Sequence, residues 1–317
     1  MKVVGLETII FGVDDIPSCA TFLTDYGLIP VDVTDEGGRF EALDGTGVVL
    51  AKTEDPSLPA SVGNGCMMRK TIMGVADQQS LDDLYAELSK DRAVETLADG
   101  SIESHDDSGF AIGFQISKKK QINLVGEISN LPGSPFQRPV NQLGVDVDAE
   151  QIRPISLSHI VYFVPDVKKA EAFYVERLGF RCTDRFEDIG PFLQPSGSLE
   201  HHTHFLIGAP PFMQGVEHFT FHFSGPTELM QNGERFIKKG YQAFWGPGRH
   251  ILGSNWFWYF NSPFACHIEM DADMDLHDKN WTPRVSPMGA DASQAFLMRN
   301  REKWAPGADT PHNGDYE

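Results

Sequence analysis

"LSHIVYFVPDVKKAEAFYVERLGFRCTD", residues 157–184, decides how the chain is read. Its first eight residues are rich in β-branched and aromatic side chains and predict a strand. Asp166 then stands where a helix cap belongs, and "VKKAEAFYVERL" has apolar residues at helical spacing. "GF" ends that helix, and "RCTDRFED" (181–188) begins another strand-like run. The same order occurs at the N-terminus. "VVGLETIIFG" (3–12) reads as a strand and "DDIPSCATFLTDYGL" (14–28) as a helix, with short strands in "IPVDVTD", "GRFEALD" and "GVVLAKT". It recurs from "CMMRKTIMGV" (66–75) through "QQSLDDLYAELSK" to "GFAIGFQIS", and again from "VEHFTFHFS" (216–224) through "TELMQNGERFIKKG" to "YQAFWG", "NWFWYFN" and "FACHIEMD".

Four strand–helix–three-strand units, grouped two and two, make an internal repeat of about 50–60 residues. The expected fold class is α+β, with two domains, each of two βαβββ units curling a mixed sheet around a cavity. The predicted boundaries are 1–126 for a non-catalytic N-terminal pair, 127–153 for a linker, 154–273 for a catalytic pair and 274–317 for a polar tail that wraps the surface. "DIGPFLQPSG" (188–197) is read as a loop or as part of a pocket rim.

The 317 residues are too many for one small core and fit two domains. A formal net charge of −19 argues against nucleic acid and anionic membranes as partners. No apolar run approaches the ~20 residues that span a bilayer. "MKVVGLETII" meets "GVDD" too early for a secretory signal. Cys19, Cys66, Cys182 and Cys266 are widely spaced and form no CxxC pair, so reduced thiols in a cytoplasm are expected.

Of the 11 histidines, nine lie between His159 and His277, which places any histidine chemistry in the second half. "GRHILGSNWFWYFNSPFACHIEM" (248–270) poses the sharpest question, because Glu269 ends a strongly aromatic stretch. A carboxylate is costly to bury unless it is paired or bound to a metal. Strand alternation puts Leu157, His159 and Val161 on one face, His218, Thr220 and His222 on another, and Ala265, His267 and Glu269 on a third. A single strand histidine is most often a satisfied core residue. Here His159 and His218 occupy first strands of two units and Glu269 a last strand, so the three are read together. Two histidines and a carboxylate have the composition of a facial metal triad with open coordination positions.

At these residues the sequence resembles the two-domain type I extradiol ring-cleaving dioxygenases of the vicinal oxygen chelate (glyoxalase/bleomycin resistance/dioxygenase) superfamily. The resemblance rests on His159 with "PDVKKAEAFYVERLGF", on "EHHTHF" and "VEHFTF", and on "GPGRH" with Tyr259 nine residues past His250 and Glu269 ten past Tyr259. It is specific over about 155–272 and architectural over 1–126. It implies the vicinal oxygen chelate fold and Fe(II), with Mn(II) as the alternative, held by His159, His218 and Glu269. His202 would be the acid–base histidine, and His250 and Tyr259 would hydrogen-bond a catechol-type substrate. It also implies O2 as co-substrate, aromatic catabolism and a homo-oligomer.

Two other classes remain open at this level. One is a non-oxidative metalloenzyme on the same scaffold, such as a lyase, isomerase or thiol transferase. The other is a metal-free binding or drug-sequestering protein. His201 is read as the outer member of its pair and His267 as a core or supporting residue. His204 and His222 have no assigned role, and Cys266 alternates away from Glu269. Aligning "LETIIFGVDD" with "LSHIVYFVPD" on Asp14 and Asp166 puts Glu7 opposite His159, aligning "RKTIMGVAD" with "HFTFHFSGP" puts Arg69 opposite His218, and aligning "FAIGFQ" with "FACHIE" puts Gln115 opposite Glu269. Arg69 would place a cation where a metal should sit, or would pair with Glu7, so one metal per chain is expected.

Overall fold

The computed structural model describes residues 1–63, 65–146, 152–287 and 289–298. The first half contains β1 (Val3–Val13), α1 (Ile16–Tyr26), β2 (Ile29–Thr34), β3 (Gly37–Glu41), β4 (Gly47–Lys52), β5 (Met68–Val75), α2 (Gln78–Leu88), β6 (Glu95–Thr96), β7 (Ile102–His105) and β8 (Ala111–Ile116). The second contains β9 (Ser156–Val164), α3 (Val167–Ala172), β10 (Arg181–Phe186), β11 (Gly190–Gln194), β12 (His204–Gly208), β13 (Gly215–His222), α4 (Pro226–Lys238), β14 (Ala243–His250), β15 (Trp256–Asn261), β16 (His267–Ala272), β17 (Arg284–Ser286), α5 (Ala290–Ser293) and β18 (Gln294–Leu297).

The first sheet runs β2-β3-β4-β1-β5-β8-β7-β6. The second repeats this order as β10-β11-β12-β9-β13-β16-β15-β14, with β17 and β18 added at its edges. In each sheet the opening strands of two units pair antiparallel, β1 with β5 and β9 with β13. The expected α+β class and the doubled βαβββ repeat are therefore present.

Local chemistry explains the elements. Asp15 caps α1 by accepting from Ser18 N at 3.0 Å, and Gly27 ends it with φ 117°, where a side chain would be strained. Asp166 caps α3 in the same way, accepting from Lys169 N at 3.0 Å. The matching caps correct the sequence alignment by one residue: counting back from Asp15 and Asp166, Thr8 rather than Glu7 stands opposite His159. The helix after Asp166 is also shorter than its pattern, becoming a π-helical turn over Phe173–Arg177.

The core is continuous between the halves. Phe11 meets Phe219 at 5.3 Å between ring centres, and Phe22 of α1 meets Phe236 of α4 at 5.1 Å. The Tyr26 hydroxyl donates to the backbone oxygen of Glu269 at 2.7 Å, so the first half braces the strand that carries Glu269.

Three segments differ from the sequence reading. "GPFLQ" is not a loop but strand β11, buried throughout between β10 and β12, and its Phe192 borders the cavity, as the pocket-rim alternative has it. The described part of the C-terminal segment adds strands: β17 pairs with β10, and β18 with β14. Covering both edges removes unpaired backbone groups from solvent. The rest of the expected tail, 299–317, lies outside the described residues, as do 147–151 of the expected linker. Residues 117–146 hold no helix or strand.

Candidate active site

His159 on β9, His218 on β13 and Glu269 on β16 come together on adjacent strands. Registers of His218 with Val161, and of Thr220 with Glu269, set them side by side. Their donor atoms all lie within 4.8 Å of one another, the one such group of three among the described residues. His159 Nε2 is 2.9 Å from Glu269 Oε2, and the two Nε2 atoms are 3.3 Å apart. All three residues are buried, Glu269 completely.

The surroundings fix which ring atoms face inward. Ser158 Oγ donates to Asp271 Oδ2 (3.1 Å) and so accepts from His159 Nδ1 (2.9 Å). His218 Nδ1 donates to Glu217, whose other oxygen accepts from His267 Nδ1 at 2.9 Å. Both Nε2 atoms are then bare lone pairs. The Thr220 hydroxyl can give its single proton to only one neighbour, and it lies 2.7 Å from Glu269 Oε2 and 3.0 Å from His159 Nε2. Glu269 Oε1 is buried with no hydrogen bond. Two bare imidazole nitrogens and an ionised carboxylate converging on one point repel unless a cation lies between them, so these residues fit a divalent metal. Each histidine donates its outer N–H to an oxygen acceptor, the arrangement that orients metal-ligating imidazoles.

Glu217 is adjacent in sequence to His218, yet both border the same cavity. The pairing of β13 with β9 shifts register between Val216 and His218, and such a bulge re-aims side chains next to a site. His267 serves Glu217 and stacks on Phe244 at 3.8 Å, in line with a supporting place. Cys266 packs against the core.

His202, His250 and Tyr259 border the same cavity. The His202 ring centre lies 4.3 Å from that of His159. Burial, then repulsion by His159, pushes the His202 pKa well below its usual value, so the ring is neutral. His250 stacks on Phe257 at 4.1 Å, and its Nδ1 donates to the backbone oxygen of Ser293 at 3.0 Å. Its Nε2 is 3.3 Å from the Tyr259 hydroxyl. Burial and the nearby Glu269 raise the Tyr259 phenol well above its ordinary value, so it remains a proton donor.

His201 is not the outer member of its pair. It is completely buried. Its Nε2 donates to Asp184 Oδ2 at 2.8 Å, and its Nδ1 meets His202 Nδ1 at 2.9 Å. Since Nε2 carries the His201 proton, Nδ1 is bare and accepts from His202. His202 therefore holds its proton on Nδ1 and keeps Nε2 free. Arg284 of β17 donates to both oxygens of Asp184, with Nη2 2.6 Å from Oδ2. Burial would raise this carboxyl, but His201 and Arg284 bring it down to about 2.

Sequence reading missed Asp184, Glu217, Arg284 and Asn255. Asn255 is buried, borders the cavity and has a partner for neither amide atom. Acidic residues beside histidines, Glu217–His218 and Glu200–His201, were the available signal for supporting carboxylates, and only the first was the right one for its neighbour. His222 instead contacts Asp271 at 2.6 Å and Glu200 at 3.2 Å, and His204 is buried among Tyr162, Tyr174 and Phe180.

In the first half, Glu7 accepts from Ser117 Oγ at 2.6 Å and from Gln115 at 3.5 Å. Arg69 turns instead to the backbone oxygens of Pro59 and Thr53, so the suggested Glu7–Arg69 pair does not form.

The model of the Glyoxalase/Bleomycin resistance protein/Dioxygenase superfamily matches residues 156–270. The matched stretch contains His159, His202, His218, His250, Tyr259 and Glu269. Metapyrocatechase 2 of Cupriavidus necator is 34% identical over 139 residues, a stretch spanning 43% of this chain and 43% of that relative. Solved structures of similar fold cover most of the chain. A Mn(II)-bound glyoxalase from Novosphingobium aromaticivorans superposes with TM-score 0.72 at 19% identity, covering 92% of this chain and 90% of the other. Homoprotocatechuate 2,3-dioxygenase from Arthrobacter globiformis gives 0.69 at 17% identity, covering 92% and 87%. Among the described residues, no helix is long and apolar enough to cross a membrane.

Proposed function

We propose that the protein is an extradiol dioxygenase that opens a catechol-type ring next to its two hydroxyls, using Fe(II) and O2. The observation that carries this reading is the wall around the three-donor group. His202, His250 and Tyr259 border one apolar cavity with His159 and His218, against which the buried Glu269 lies, and a group that only held a metal would need none of them. Similarity to Metapyrocatechase 2 over the same stretch supports the reading.

His159, His218 and Glu269 would hold the metal. Bound iron would leave about three coordination positions for two vicinal oxygens and O2 and would pass electron density from ring to oxygen. The protein's own part is proton management and alignment. His202, neutral and with Nε2 free, takes a proton from the diol or returns one as the ring opens. His201 and Asp184 keep it in that tautomer. With His250 Nδ1 donating to Ser293, its bare Nε2 is the resting acceptor for the Tyr259 hydroxyl, and on substrate binding that hydroxyl turns its proton to the substrate oxygen on which negative charge develops. The aromatic walls exclude water. Four unpaired cysteines fit a reducing cytoplasm.

A non-oxidative metalloenzyme on the same scaffold is the second reading, favoured by the glyoxalase likeness. Anaerobic loading with Fe(II) or Mn(II), followed by an oxygen-uptake assay over a set of catechols, separates the two. Uptake with a ring-opened product supports the dioxygenase. Full metal loading with no uptake on any catechol refutes it.

A further inference from the structure

The cavity has two unlike sides. Its polar groups come from the fourth unit and from the two histidines on β9 and before β12. Phe163, Phe186, Phe192, Phe205, Ile207 and Leu252 make up most of the other side. Most of these belong to a small apolar cluster separate from the main core, in which Phe192 and Phe205 stack at 4.1 Å and 7°. That cluster lines the cavity, and Phe192 also packs edge-on against His202 at 5.0 Å between ring centres, so its shape bears on where a ligand sits.

Size and charge narrow the ligand. The cavity holds about 330 Å³. An apolar cavity of about 150 Å³ accommodates a benzene ring, so there is room for a diol ring and a second group of similar size. No lysine or arginine borders the cavity among the described residues, while Glu217 does. Its two oxygens are the acceptors for His218 Nδ1 and His267 Nδ1. A carboxylate on the substrate would be buried against phenylalanines, with no cation to pair with and an anion in the wall. Asn255 is the remaining unpartnered polar group, and an uncharged amide gives an anion little compensation.

We infer that the substrate is a neutral catechol carrying an apolar substituent of about ring size, directed away from the metal-side residues onto the β10–β12 phenylalanines. This rests on the proposed dioxygenase reading and deepens it. Phe192 and Phe205 are then specificity-determining residues.

The test compares catechol, 3- and 4-phenylcatechol and 3,4-dihydroxyphenylacetate on the Fe(II)-loaded protein. Oxygen uptake gives kcat/KM, and quenching of tryptophan fluorescence without oxygen gives Kd. One of the phenylcatechols should exceed both other compounds by at least about tenfold in each measure, the usual scale for filling or leaving empty an apolar pocket. Ile207→Lys, which puts an ammonium in the wall, should narrow the gap to 3,4-dihydroxyphenylacetate. Equal or better binding of the carboxylated compound or of unsubstituted catechol by the wild-type protein would overturn the inference. The two readings fail separately: anaerobic binding in the expected order with no oxygen uptake would sink the dioxygenase and leave the apolar ligand class standing.

Discussion

Asp184→Asn isolates the part of the site furthest from the metal group. Asp184 Oδ2 receives His201 Nε2 at 2.8 Å and Arg284 Nη2 at 2.6 Å, while Oδ1 receives the backbone N–H of Arg284 at 2.8 Å. Asparagine keeps the shape but replaces one acceptor with an N–H donor. In either orientation an N–H then opposes an N–H. If the amide nitrogen faces His201, that ring must shift its proton to Nδ1. His202 would then move its own proton to Nε2 and lose the lone pair that faces the cavity. A hydrogen bond to a charged group contributes about 1.5–3 kcal/mol, and a neutral one about half of that. The lost preference, about 1–3 kcal/mol, corresponds to a kcat lower on the order of 10–100-fold. Arg284 is partly exposed and can turn to water, so the fold should persist. Oxygen uptake with a catechol, together with iron analysis, gives the answer. We expect kcat to fall while KM and iron content stay near wild type. A kcat within about twofold of wild type would refute the role given to the Asp184–His201 pair, and loss of iron would make it structural.

His202→Phe should retain iron and bind catechol but turn over about 10²–10⁴-fold more slowly, as expected on removing a positioned acid–base group; wild-type kcat would exclude that role. Tyr259→Phe should be milder and act on kcat, and iron loss would place Tyr259 in the metal's environment instead. Glu217→Gln leaves one acceptor oxygen where His218 and His267 each use one and should weaken metal affinity about 10–100-fold, measured by competition with a chelator; unchanged affinity would show that His218 needs no such support.

The repeat was legible because each unit carries its own local signals, alternation for strands and Asp caps for helices. The three-donor group was legible because its spacing within the second half is distinctive. What escaped the sequence depends on contacts between distant segments. Asp184 meets Arg284 one hundred residues away, and nothing local to "RCTDRF" marks it as the anchor of a histidine pair. The aim of Glu217 depends on a bulge that strand alternation does not anticipate. "GPFLQ" is flanked by Gly190 and Pro195, which read as turn formers, yet burial on both sides makes it a strand. β17 and β18 are only three and four residues long and form only because the sheet has edges to cover.

The central claim is that His159, His218 and Glu269 hold one catalytic metal. Iron analysis of anaerobically reconstituted protein tests it most directly, with His159→Ala and Glu269→Gln measured beside the wild type. One iron per chain should bind to the wild type, none to His159→Ala and little to Glu269→Gln, since an amide keeps the shape but gives the ion no negative charge. Two irons per wild-type chain, or normal iron in both variants, would contradict the account.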